Sequence, residues 1–337
     1  MTLRTRKPTG QVAYPIVLVE GAEKVGKTYT ALALSASEKV GRTFVFDIGE
    51  GSADEYAPLG RYEVVEHDGT FTDFIGQLEA ATAEPAEDGK PNVIVIDSGT
   101  MLWEGLKNWA SKRARNSKSN KALLARDPDA EVNVSSTYWN DANDRWGRML
   151  RLLRAWPGIA VVVCRGKEVS VMGADGNPIP GRTEYRVEAQ KQFPYNASVH
   201  VRVEAPGVVK LTAVRSLSVT IPAKGLPLPA EASLEHALFE VVSAGTWAVA
   251  DVVDAQFGRT VLDAKNELTE LLNGDKATAA EVWKAGPCPN ATKTDEVSDA
   301  DWHALEAAAR ERLVPPADDA NAEPAPRPAP PVPGGEG

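Results

Sequence analysis

Cysteine is nearly absent: Cys164 and Cys288 are the only two in 337 residues. That is too few for a disulfide framework or a zinc cluster. Histidine is scarce as well. His67, His200, His236 and His303 stand singly, so no metal centre built on imidazole is expected. No apolar run reaches the ~18 residues that span a bilayer. The basic opening, "MTLRTRKPTG", lacks the apolar h-region of a signal peptide. A cytoplasmic protein without a membrane partner is the expectation. Positive charge is also in deficit: 37 Lys+Arg against 47 Asp+Glu give a net charge of -10. Read globally, this argues against nucleic acid, but the footprint that matters is local.

What is present is a globular composition, 43% hydrophobic and 25% charged. Apolar runs alternate with helical patterns. Strands are expected at 14–20, 43–47, 61–68, 92–97 and 158–164. The 61–68 run is more polar and is expected nearer an edge. Helices are expected at 71–81 and 137–155. Strands alternating with helices imply βαβ units and a mainly parallel sheet. After Cys164 the period becomes two. A hairpin with Asp175-Gly176 at its turn is expected, then two strands around Pro206-Gly207. The sheet is thus parallel with an antiparallel extension. Residues 217–230 hold three prolines and read as linker. Residues 233–285 read as helical, and "SDAD" from Ser298 reads as a capping box. The expected domains are a flexible arm (1–12), an α/β core (13–225), a helical region (233–313) and a disordered Pro/Ala-rich tail (314–337).

The first apolar run ends in "GAEKVGKT", Gly21 to Thr28, which reads G-x-x-x-x-G-K-T. Its glycines let backbone N–H groups of Ala22, Glu23, Lys24, Val25 and Gly26 turn inward. Together with the helix N-terminus at Lys27, Thr28 and Tyr29 they form an anion cradle. Lys27 is placed to meet the β- and γ-phosphates of ATP, and Thr28 to hold Mg²⁺. A second acid is needed for the metal. "NVIVID" ends in Asp97 about seventy residues on, with Ser98 beside it. A water-activating base is needed too. "FDIGEG" offers Glu50, and Asp47 as the alternative, at the carboxyl end of a strand where ligands sit in open α/β sheets.

These segments resemble the RecA-like recombinase core, in "GAEKVGKT", "FVFDIGEGSADEYAPLG" and "VIVIDSGTML". "VVVCRGKEV" is similar to the sensor strand, although Arg165 and Lys167 stand where a sensor glutamine is usual. Within that superfamily the chain resembles phage-encoded ATPases of single-strand annealing and recombination. The resemblance covers about residues 12–220.

The resemblance implies ATP-dependent binding of single-stranded DNA, assembly into a homo-oligomeric ring or filament, and a single-strand-binding or replication protein as a further partner. In a phage-encoded protein the compartment is the bacterial host's cytoplasm. It also implies DNA-binding segments after the strand that ends in Asp97, the Walker B strand, and after the sensor strand. "KNWASKRARNSKSNKALLAR", 107–126, carries seven Lys/Arg and no acid. Lys107, Lys112, Arg113, Arg115, Lys118 and Lys121 are its candidates, with Trp103 and Trp109 alongside. Arg165, Lys167 and Lys191 are candidates to act on a neighbour's nucleotide, as is Arg182. A ring-forming helicase or loader, or a nucleotide-gated scaffold for a protein partner, are the competing readings.

Overall fold

The computed structural model describes residues 3, 5–173, 176–242, 247–249, 259–292 and 296–313. The chain forms two compact units, Met1–Val252 and Val253–Gly337.

The first unit is built on a nine-stranded sheet. Its strands are β1 (Ile16–Gly21), β2 (Thr43–Asp47), β3 (Glu63–Val64), β4 (Val93–Asp97), β5 (Ile159–Met172), β6 (Pro178–Glu188), β7 (Val199–Ala205), β8 (Val208–Val214) and β9 (Leu226–Leu228). The order is β9-β8-β7-β1-β5-β4-β2-β3, with β6 paired to β5. From β7 to β3 every neighbouring pair is parallel; β8, β9 and β6 add antiparallel edges. The sheet is therefore mixed and mostly parallel, as its sequence pattern implies.

The buried strands carry no polar alternation because both faces are covered. One face presents Leu18, Phe46, Ile94, Ile96 and Val162 to the helices α2 (Phe71–Ala83), α3 (Gly99–Arg115) and α5 (Ser136–Ala155). The other presents Val17, Val19, Val45, Val95 and Val163 to α1 (Lys27–Leu32) and the 233–242 segment. A short α4 (Lys118–Arg126) lies between α3 and α5 in sequence.

Several local expectations change. Only Glu63 and Val64 of the 61–68 run pair, at the sheet edge. The stretch read as linker contributes β9. Its Pro227 is tolerated because an edge strand leaves one side unpaired. Val12, the last residue of the expected arm, and Ala13 pair with Trp247–Ala248, inside a stretch read as helical. Trp247 stacks between Tyr14 and Phe239, at ring distances of 5.8 and 5.1 Å, and aromatic contact outweighs helical periodicity there.

Beyond Arg165, β5 leaves the sheet and pairs with β6 alone, as a ribbon. Residue 175 of the expected turn lies outside the described residues. Thr100 staples the ribbon's root: its hydroxyl accepts from the Arg165 N–H at 2.9 Å and donates to the Glu188 carbonyl at 2.5 Å.

In the second unit α6 (Val261–Leu271), α7 (Lys276–Ala285) and α8 (Asp299–Leu313) enclose Leu268, Trp283, Trp302 and Leu305. Ser298 caps α8 by accepting from the Asp301 N–H at 3.2 Å. The tail expected at 314–337 lies outside the described residues. No helix among the described residues is long and apolar enough to cross a membrane.

Candidate nucleotide site

The site forms where β1, β2 and β4 end and β5 runs on into the ribbon. Gly21 must be glycine, because a Cβ there would run into the Val203 carbonyl of β7 and the Val25 side chain. The loop then turns through left-handed backbone at Lys24 (φ 57°) and Gly26 (φ 98°). Such turns direct successive N–H groups into a concavity suited to an anion. Lys24 adopts this conformation despite its Cβ, and its side chain is exposed.

Lys27 Nζ donates to the Ala22 carbonyl at 2.6 Å, so the lysine lies over its own loop. Burial lowers its pKa, opposed by the nearby Asp97 and Glu50 carboxylates. Thr28 Oγ1 donates to Asp97 Oδ2 at 2.6 Å. Asp97 is only 4% exposed. Burial pushes its carboxyl up to about 6, against the Thr28 bond, and Glu50 and Asp47 add to the rise. The Thr28 hydroxyl and the Asp97 carboxylate, side by side, are hard oxygen donors of the kind that suits Mg²⁺.

The two candidate bases differ. Asp47 Oδ1 accepts from the N–H groups of Gly51 at 2.7 Å and Glu50 at 3.3 Å, and its Oδ2 from Ala53 at 2.9 Å. Its oxygens shape the 47–53 loop. Glu50 Oε1 accepts from Ser98 Oγ at 2.9 Å and from the Arg165 guanidinium at 2.8 Å. Ser98 Oγ also caps α3, accepting from Met101 N–H at 3.2 Å.

Arg165 thus faces an acid of its own chain. Lys167 pairs with Glu188, while Lys191 and Arg182 are exposed. Next to the loop lies an ion pair between a buried acid and a partly exposed arginine that sequence reasoning does not find. Glu20, 3% exposed, accepts from Arg202 at 2.8 and 2.9 Å, and Arg202 lies 3.7 Å from the centre of the Tyr185 ring. The available signal is a lone acid in an otherwise apolar strand, which demands a partner.

The basic segment is helical. Lys107 pairs with Glu104 at 2.6 Å. Arg113 stacks on Trp109 and Tyr138 and reaches Asp141 at 3.4 Å. Trp109 also carries Arg145 on its ring, and Trp103 packs edge-on to Trp146. The indoles border the core rather than forming a free stacking platform. Lys112, Arg115, Lys118 and Lys121 are exposed.

Residues 13–225 match the AAA domain family. The chain belongs to that family. It is accordingly a P-loop ATPase with an α/β fold. Among solved structures, this AAA domain chain is similar to the RadB recombinase, at 14% identity over 61% of this chain and 84% of that one, with a TM-score of 0.33. It is also similar to an ATPase from the type III secretion system of pathogenic bacteria, at 12% identity over 90% of this chain and 83% of that one, with a TM-score of 0.30. No curated protein matches it.

Proposed function

We propose that this AAA domain ATPase binds single-stranded DNA and acts as an annealing or recombination protein of a phage or prophage. The observation that carries the reading is the exposed cation group Lys112, Arg115, Lys118 and Lys121 in a chain of net charge -10. It stands at the far end of α3, a helix whose first turn is capped by Ser98, the residue next to Asp97. Seventeen residues of helix make a rod of about 25 Å. Such a rod can join a phosphate site to a polyanion site without overlap.

In this reading Lys27 and the loop N–H groups bind the β- and γ-phosphates. Thr28 and Asp97 would hold Mg²⁺, which when bound neutralises charge developing on the phosphate oxygens. Glu50 takes a proton from the attacking water. Lys191 and Arg182 remain candidates for a neighbour's nucleotide in a homo-oligomer, and a single-strand-binding or replication protein is the further partner.

The test is ATP hydrolysis measured alone and with single-stranded DNA, duplex DNA or RNA. The greatest stimulation by single-stranded DNA is expected. Absence of both binding and stimulation would favour the nucleotide-gated scaffold instead.

A further inference from the structure

The ribbon has an open edge. β6 pairs with β5 on one side, and among the described residues no strand pairs with its other side. A two-stranded hairpin is marginally stable by itself in water, and an open edge invites a further strand. The regular part of this edge is short. Pro178 and Pro180 offer no N–H, and Gly181 turns into left-handed backbone at φ 71°. Pairing is thereby confined to Arg182–Glu188. Thr100 bridges the Arg165 N–H to the Glu188 carbonyl, so Glu188 turns its backbone toward β5. By antiparallel alternation Arg186 and Glu184 do the same, while Thr183, Tyr185 and Val187 turn their N–H and C=O groups outward.

The side chains of this run say what fits it. It reads Arg-Thr-Glu-Tyr-Arg-Val-Glu, and it is its own complement. Laid antiparallel on a second copy about Tyr185, Glu184 stands opposite the other copy's Arg186, and Arg182 opposite the other copy's Glu188. A slip of two residues in either direction sets Glu opposite Glu and Arg opposite Arg. A slip of one turns the charged face against the Tyr185 face. Parallel pairing in register also sets like on like. Opposite charges across a strand pair stabilise it and like charges do the reverse, so one register is favoured. Within one chain Glu184 already bonds Arg186 at 2.6 Å and Lys167 pairs with Glu188. The run carries two arginines against two glutamates, unlike the acid-free 107–126 segment, so a polyanion is a poor occupant for it.

We propose that β6 joins a second copy of this chain about a two-fold axis at Tyr185, so that two ribbons make one four-stranded sheet. The contact is isologous and closes on itself, unlike the head-to-tail contact of a ring or filament. It needs neither nucleotide nor single-stranded DNA and is independent of the function proposed above. It commits Arg182 to the interface and leaves Lys191 as the candidate for a neighbour's nucleotide.

Sedimentation equilibrium of the full chain, without nucleotide or DNA, tests the pairing. Wild type should show a concentration-dependent monomer–dimer equilibrium. Arg186→Glu and Glu184→Arg each put like charges across the axis twice and should weaken dimerisation by about tenfold or more. An equimolar mixture of the two variants should recover it, because opposite charges then face each other again. The double variant Glu184→Arg/Arg186→Glu should recover it too, which separates lost pairing from lost folding. Thr183→Pro removes an outward N–H, leaves the ladder to β5 in place, and should also weaken the dimer. A monomer at every concentration would overturn the proposal. So would a dimer indifferent to the charge reversals or to Thr183→Pro, or no recovery in the mixture.

Discussion

The Thr28 hydroxyl donates a 2.6 Å hydrogen bond to Asp97 Oδ2 across 69 residues of sequence. The bond fixes the start of α1 against the end of β4 and presents two oxygens side by side. Thr28→Val keeps the shape and removes the donor. Hydrolysis should fall at least about a hundredfold, the scale for one preorganised transition-state interaction. Lys27→Ala should fall as far. Circular dichroism should match wild type in both, and wild-type turnover in either would rule out the site.

The raised Asp97 carboxyl makes a pH prediction with a definite sign. Its ordinary value is 3.8 and its folded value about 6. Between those values the folded chain holds the proton more tightly than the unfolded chain, so stability falls as pH rises through the window and levels off above it. The loss is about 3 kcal/mol at most, at 1.36 kcal/mol for each pKa unit. Asp97→Asn removes this loss. In metal-free buffer the variant should be more stable than wild type at pH 7 and should lose its advantage near pH 4, measured by urea denaturation. A pH-independent difference would contradict the burial argument.

The exposed cations predict a change in salt dependence. Lys112, Arg115, Lys118 and Lys121 together replaced by alanine should weaken single-strand binding evenly across sequences. The slope of log affinity against log salt should become shallower by roughly 0.7 for each phosphate that is no longer neutralised. Basal ATPase should survive while stimulation by DNA drops. An unchanged slope removes this surface from the mechanism and turns attention to the ribbon. Arg113 is kept out of the set, because its stacking on Trp109 and Tyr138 gives it a packing role.

Gly21→Ala should destabilise the fold by about 1–3 kcal/mol, as overpacking against fixed backbone does. The obstacle is the Val203 carbonyl, which cannot move without shifting β7. A wild-type denaturation midpoint would show that β1 and β7 can part locally.

The parts legible in the sequence are those whose physics is local. β2 and β4 stand out as unbroken apolar runs closed by aspartate, because strands covered on both faces tolerate little else. The P-loop is readable because its glycine spacing is a backbone requirement. β9 is hidden because Pro227 counts against a strand until the edge position is known. The Glu50–Arg165 and Glu20–Arg202 pairs span 115 and 182 residues. No periodicity joins such partners; only the strand order does. Helix α4 is visible as charge but not as structure, since its apolar residues, Ala122 to Ala125, are consecutive and mark no helical face.

The strand order has a consequence for how the chain is made. β1 is synthesised first, yet its two partners are β5 and β7, which begin at Ile159 and Val199. The foundation of the ATP site is therefore enclosed late. While the chain is growing, Ile16–Gly21 has open backbone edges and an apolar sequence, the features that template pairing with other chains.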